Sequence, residues 1–201
     1  RVAEGEFDAH FPIDVFQTGS GTSSNMNANE VIAALASRAG KAVHPNDDVN
    51  LGQSSNDVIP TAIRVSAQLA VVESLLPALD HLRRTIDRRG RSLDRITKTG
   101  RTHLMDAMPL TFGQELSAWS AQLTTAIERL DDAARRLHRL PLGGTAIGTG
   151  INADKRMPAI ACKEMSRITG LKFVPAKNKF EALAAHDGCR KVPCGRLSAE
   201  I

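Results

Sequence analysis

Tyrosine is absent from the 201 residues, tryptophan occurs once, and aromatic residues make up only 3%. Basic residues without aromatic interleaving make a poor nucleic-acid footprint, so no nucleic-acid partner is expected. The charge excess is small: 26 Lys and Arg against 22 Asp and Glu leave a net charge of +4. That excess falls on pairs such as Arg83-Arg84 and Arg88-Arg89, which read as solvated helix faces. Cysteine is scarce too. Cys162, Cys189 and Cys194 are too few and too irregular for a disulfide framework. No Cys or His spacing fits a zinc site, so no metal is expected. No unbroken apolar run approaches the ~18 residues of a membrane span, and no membrane partner is expected. The polar start has no apolar signal core, which predicts a reducing, cytoplasmic location.

What is present is polar and clustered. Gln17-Thr-Gly-Ser-Gly-Thr-Ser-Ser-Asn-Met-Asn-Ala-Asn-Glu30 combines hydroxyls, amides and glycines. Burying so many polar groups unpaired costs several kcal/mol, so the stretch predicts a donor-rich loop entering a helix. Such a loop beside a helix N-terminus suits an anion. Three similar clusters follow: His44-Pro-Asn-Asp-Asp-Val-Asn50, Gln53-Ser-Ser-Asn-Asp57 and Gly100-Arg-Thr-His-Leu-Met-Asp106. Together they suggest one composite site for a small carboxylate.

Between the clusters the periodicity is helical. A helix is expected over 24–38, ended by Gly40. A long one over 57–89 carries Ile59, Ile63, Leu69, Val72, Leu76, Leu79, Leu82 and Ile86 three or four apart in most steps. Pro60 falls in its first turn, where proline is tolerated, and Pro77 should disturb its interior. Residues 97–110 have no helical period. The cleanest stripe runs through Phe112, Leu116, Trp119, Leu123, Ile127, Leu130, Ala134, Leu137 and Leu140. Helices of this length bury narrow stripes on other long helices, so an all-α long-helix bundle is expected, with helices from other subunits or further chain. The loop from Leu142 to Asn152 is rich in glycine, but no strand precedes it, so a dinucleotide site is disfavoured. Further helices are expected over 154–169 and from Lys177. Periodicity stops after Asp187, and residues 188–201 read as an aberrant, frame-shifted tail or an ordinary irregular one.

The ordered clusters resemble the class II fumarase and aspartase superfamily, and within it the class II fumarate hydratases. The matching stretches are Thr18 to Ile32, Val43 to Asn50, Gln53 to Asp57, Lys98 to Ala107, Leu142 to Asn152 and Asn178 to Leu183. His103 stands where aspartases carry glutamine, and Asn178-Lys-Phe-Glu-Ala is also fumarase-like. The resemblance implies an all-α bundle with irregular polar active-site segments between helices. It divides the chain into residues 1–22, the end of an N-terminal region and first substrate loop; residues 23–187, a partial central bundle; and the tail. It also implies a central fragment. The Gly-Ser-Ser loop that carries the family's catalytic serine matches nothing in these residues.

The resemblance implies reversible hydration of fumarate to (S)-malate, a step of the citric acid cycle, with no cofactor. Ser20, Gly21 and Thr22 would bind one substrate carboxylate. Ser54, Ser55, Asn56 and Thr102 would bind from two further segments. His103 would orient or activate water, with Thr102 beside it. Each Ser, Thr and Asn taken singly also suits a cap or turn. His44, Pro45, Asn46 and Asp47 resemble the family's second carboxylate site, and a His-Pro turn that positions the next helix is an equal reading. A homotetramer with shared active sites is implied. Two rivals stand beside this reading: an aspartate ammonia-lyase of the same superfamily, and an inactive oligomerising helical fragment, the state expected of the 201 residues alone.

Overall fold

The computed structural model describes residues 1–186, and the expectations for the tail and for Cys189 and Cys194 lie outside them. The helices are α1 (Thr22–Ser37), α2 (Ser55–Ala70), α3 (Leu76–Ser92), α4 (Phe112–Leu137), α5 (Met157–Thr169) and α6 (Lys179–Ala184). Strands β1 (Thr97–Thr102) and β2 (Met105–Thr111) form an antiparallel hairpin, and β3 (Arg139–Leu140) pairs parallel with β4 (Val174–Pro175). Helix dominates, as the periodicity predicts. The aperiodic stretch 97–110 is a hairpin rather than an irregular loop. Its threonines suit a pleated surface.

The described residues divide into two compact units, 1–67 with 136–186 and 68–135. In the first, Leu140, Cys162 and Phe173 form a buried core packed by Val65, Met165 and Leu171. Burying a side chain of this size contributes about 1.5–3 kcal/mol. The strand pair places Leu140 there: Val174 N–H donates to His138 O and Ala176 N–H to Leu140 O. Gly170 ends α5 in the left-handed conformation at φ 70°, where glycine carries no Cβ penalty.

Residues 55–92 are helical throughout. A π-helical turn, Val71–Leu75, separates α2 from α3 directly before Pro77. Proline lacks an N–H and crowds the carbonyl four residues back, so a widened turn there removes the conflict. By length and composition alone this helix is apolar enough to cross a membrane, although it contains no unbroken apolar run of that length. Hydropathy averages admit interspersed polar residues, and runs do not. Arg64 and Gln68 lie in the helix and are buried.

Helix α4 is 26 residues long, about 39 Å, and all but its last two residues belong to the second unit. Along α3, Arg83 pairs with Asp80 and Asp87, and Arg84 with Asp80. The Arg83 hydrogen bond is the main cause that holds the Asp80 carboxyl below its ordinary value. The arginine pair of this helix is therefore locally neutralised.

Candidate active site

In the first unit the loop into α1 turns on Gly21, which is left-handed at φ 70°. An added Cβ would meet the Ile59 side chain, so both conformation and space require glycine. The loop hydroxyls form a chain: Thr18 Oγ1 lies 3.0 Å from Ser20 Oγ, which lies 3.1 Å from Thr22 Oγ1. All three residues are exposed.

The second cluster starts α2. Ser54 Oγ accepts from Asn56 N–H at 3.2 Å, and Asp57 Oδ1 accepts from Ser54 N–H at 2.9 Å. These reciprocal bonds satisfy donors that a helix start leaves open. Asn25 on α1 donates to Ser55 Oγ at 3.0 Å, and Asn29 donates to Asn50 Oδ1 at 3.2 Å. Asn56 Nδ2 donates to Ala146 O at 2.9 Å in the glycine-rich loop. Ser20, Ser55 and Asn56 thus border one cleft of 440 Å³, walled by Ile59, Ile147 and Phe180, with His186 on its rim. Gly21 and Ile59 border an adjoining hollow with Gln17 and Ser24. The cleft offers neutral donors beside an apolar wall. That arrangement can hold a small anion without forcing a fixed cation into the site.

Thr102 and His103 belong to the second unit, at the tip of the β1–β2 hairpin. His103 and Leu104 are its two turn residues, with φ 49° and 62°. Both are exposed. Two positive φ values fit a tight hairpin turn, which glycine and asparagine fill more readily. Arg101 Nε bonds Asp106 Oδ1 at 3.2 Å across the strand ends. Lys98 Nζ lies 2.8 Å from both Glu115 carboxylate oxygens, and 5.3 Å from the centre of the Phe112 ring, which anchors the far end.

The His44 cluster is a π-helical turn, Pro45–Val49. His44 Nδ1 accepts from Asp47 N–H at 3.2 Å, and Asp48 Oδ2 accepts from His44 N–H at 2.8 Å. The backbone donors of His44 and Asp47 thus have partners within the turn. His44, Asn46 and Asp47 are exposed, and Pro45 is half-buried.

Sequence reasoning overlooked the buried polar groups beneath the cleft. Asn25, Asn27, Asn29, Asp57, Thr61 and Arg64 are all buried. The signal was available: three asparagines at alternate positions of a helix, and an aspartate directly after Ser-Ser-Asn, are costly to bury unless they have assigned partners.

The family model described as Lyase matches residues 1–192. A class II fumarate hydratase from Xylella fastidiosa (strain Temecula1) is 67% identical over 187 residues, covering 92% of this chain and 40% of the relative. One from Thermus thermophilus is 50% identical over 193 residues, covering 93% and 41%. The crystal structure of recombinant class II fumarase from Schistosoma mansoni superposes with a TM-score of 0.91 at 39% identity, over 95% of this chain and 44% of that one. A fumarate lyase:delta crystallin from Brucella melitensis, bound to cobalt, gives 0.83 at 43% identity, over 90% and 41%. The chain therefore spans about 40% of the length of the curated relatives it matches.

Proposed function

The chain belongs to the lyase family, and we propose that it takes part in the reversible hydration of fumarate to (S)-malate. One observation carries the reading: Ser20 and the Ser55-Asn56 pair, far apart in sequence, border the same donor-lined cleft. In the dehydration direction a proton leaves a carbon alpha to a carboxylate. Negative charge then builds on that carboxylate, and preorganised hydrogen-bond donors stabilise it. Ser20, Gly21 and Thr22 bind one carboxylate, and Ser54, Ser55 and Asn56 bind the substrate from a second segment of the chain. Thr102 adds a hydroxyl, and His103 orients or activates the water. That these relatives are fumarate hydratases supports the substrate.

The reading extends to assembly and place. Trp119 and Phe112 on α4, both exposed, lie on its apolar stripe. Such a stripe supports a homotetramer in which residues 23–187 contribute one share of a central bundle and active sites are shared between subunits. A cytoplasmic role in the citric acid cycle goes with it. His44, Pro45, Asn46 and Asp47 form a second carboxylate site or a His-Pro turn that positions the next helix, and the bonds within the turn support the second of these. No cofactor enters the chemistry. The 201 residues alone are expected to be inactive, since no residue among them matches the family's catalytic serine.

The test is a titration of the chain with fumarate, (S)-malate and L-aspartate, followed by the amide resonances of residues 20–22 and 54–56. Fumarate and malate should shift both groups. A response to aspartate alone would move the ammonia-lyase reading ahead, and silence to all three would refute the site. Fumarate hydration by the chain above the rate of its His103→Ala variant would overturn the expected inactivity.

A further inference from the structure

The peptide unit between Leu142 and Gly143 is gripped at both ends by charge. Its N–H donates to Asp57 Oδ2 at 2.8 Å, and its carbonyl accepts from Lys179 Nζ at 2.6 Å. Asp57 is fully buried. Its Oδ2 also accepts from Thr145 N–H at 2.8 Å, while Oδ1 accepts from Ser54 N–H at 2.9 Å. One carboxylate thereby joins the first turn of α2 to a loop more than 80 residues away in sequence. Three N–H donors replace the water that the buried anion has lost.

The loop has little freedom elsewhere. A Cβ on Gly143 would run into the Pro158 ring, and one on Gly148 would meet the Phe180 ring and backbone. The tied residues adjoin the cleft: Ser55 and Asn56 line it from the α2 side, and Ala146 and Ile147 from the loop side. Lys179 begins α6, inside the Asn178-Lys-Phe-Glu-Ala stretch, and Asn178 caps that helix by accepting from Glu181 N–H at 3.1 Å.

We propose that Asp57 and Lys179 are positioning residues: by gripping one peptide unit from opposite ends, they fix the residue 54–56 donors against the glycine-rich loop and preorganise the cleft for a dicarboxylate. The identity of that ligand rests on the function proposed above. The physical basis is precision. Donors act on a developing charge only when their supports hold them within a fraction of an ångström. An anion on the N–H and a cation on the C=O both lower the energy of a single orientation of that peptide dipole.

The experiment compares the chain with its Asp57→Asn, Lys179→Met and Lys179→Arg variants by amide exchange and by titration with fumarate. Asp57→Asn and Lys179→Met should each speed exchange at Gly143 about tenfold, the effect of one lost hydrogen bond. Protection across α5 should stay unchanged. Fumarate affinity should fall by about the same factor. Lys179→Arg keeps a donor and should restore most of it. If Lys179→Met leaves both exchange and affinity within about twofold of the parent, the grip does not position the site. If α5 opens together with the loop in Asp57→Asn and in Lys179→Met, the pair only supports the fold, and the proposal fails. A parent chain that does not respond to fumarate rejects the substrate assignment, and the Gly143 exchange still decides whether the grip exists.

Discussion

Replacing Arg64 with methionine tests how the first unit is closed. Arg64 is 6% exposed, and its guanidinium donates to three backbone carbonyls: Arg139 O, Ala182 O at 3.1 Å and Ala185 O at 3.0 Å. It therefore ties α2 to β3 and to the C-terminal end of α6. Methionine fills much of the same volume, so the cost is chiefly polar. Ala182 is 0% exposed, and its carbonyl would be orphaned at about 1–3 kcal/mol. Arg139 is exposed and Ala185 is half-buried, so water can replace those two bonds at about 0.5–1 kcal/mol each. Relief from burying a cation offsets part of this, because the partners are carbonyls and no opposite charge is stranded. The net expectation is a loss of about 2–4 kcal/mol, read from urea unfolding followed by helical circular dichroism. Arg64→Lys keeps the charge but cannot span three carbonyls, and should fall between the two. A methionine variant within about 0.5 kcal/mol of the parent would refute the reasoning, since it would mean that water already satisfies all three carbonyls.

Gly143→Ala should destabilise by about 2 kcal/mol or more, because φ is 83° and the new methyl would overlap Pro158; thermal melting checks this, and Gly19→Ala, which meets nothing within 4 Å, is its strain-only control. His138 is held below its ordinary value of 6.5, first by burial and then by Lys172. The unfolded chain therefore takes up the proton before the folded one does. Stability should be complete above pH 6.5 and fall as the pH drops through that value toward the folded one. His138→Phe should flatten this part of the melting-temperature profile, and an unchanged profile would remove His138 from the account. Burial pushes the Cys162 thiol up, and the residue is 2% exposed. Its alkylation in the folded chain should run about a hundredfold slower than in urea, measured by mass spectrometry of the residue 162 peptide.

Local rules were enough for the helices. Ser37 and Thr169 end α1 and α5 close to where Gly40 and Gly170 mark a stop, and the stripes on α3 and α4 follow the 3.6-residue period, except that α4 ends at Leu137 and the stripe's last member, Leu140, lies in β3. The clusters also announced a polar cleft, because runs of hydroxyl and amide side chains have no place in a core. What pairs them was not legible. The bond from Asn25 to Ser55 and the bonds from Gly143 and Thr145 to Asp57 join segments by tertiary approach, and spacing along the chain carries no record of that. The hairpin escaped for another reason. Its turn is His103-Leu104 rather than the glycine or asparagine that marks such turns, so the usual signal was missing.

That missing signal is itself informative. Leu104 sits at φ 62° and is 97% exposed, so it has neither a favourable backbone nor a packing partner among the described residues. A left-handed residue with a Cβ costs about 1–2 kcal/mol, and glycine would relieve it while losing up to about 1 kcal/mol through the freer unfolded chain. Leu104→Gly should therefore stabilise the hairpin by about 0.5–1 kcal/mol, read from slower amide exchange along Lys98 and Leu110, which face one another in the register. Sequences break local rules where function demands a particular side chain or conformation. If the resemblance assigns His103 correctly, the strained turn aims its ring, and Leu104 supplies a contact that only the assembled protein makes. The glycine variant should then gain stability as a chain and lose it as an oligomer. A variant that destabilises the isolated hairpin by more than about 0.5 kcal/mol would show that Leu104 packs within the chain, and would remove the argument that the turn is held in reserve for assembly.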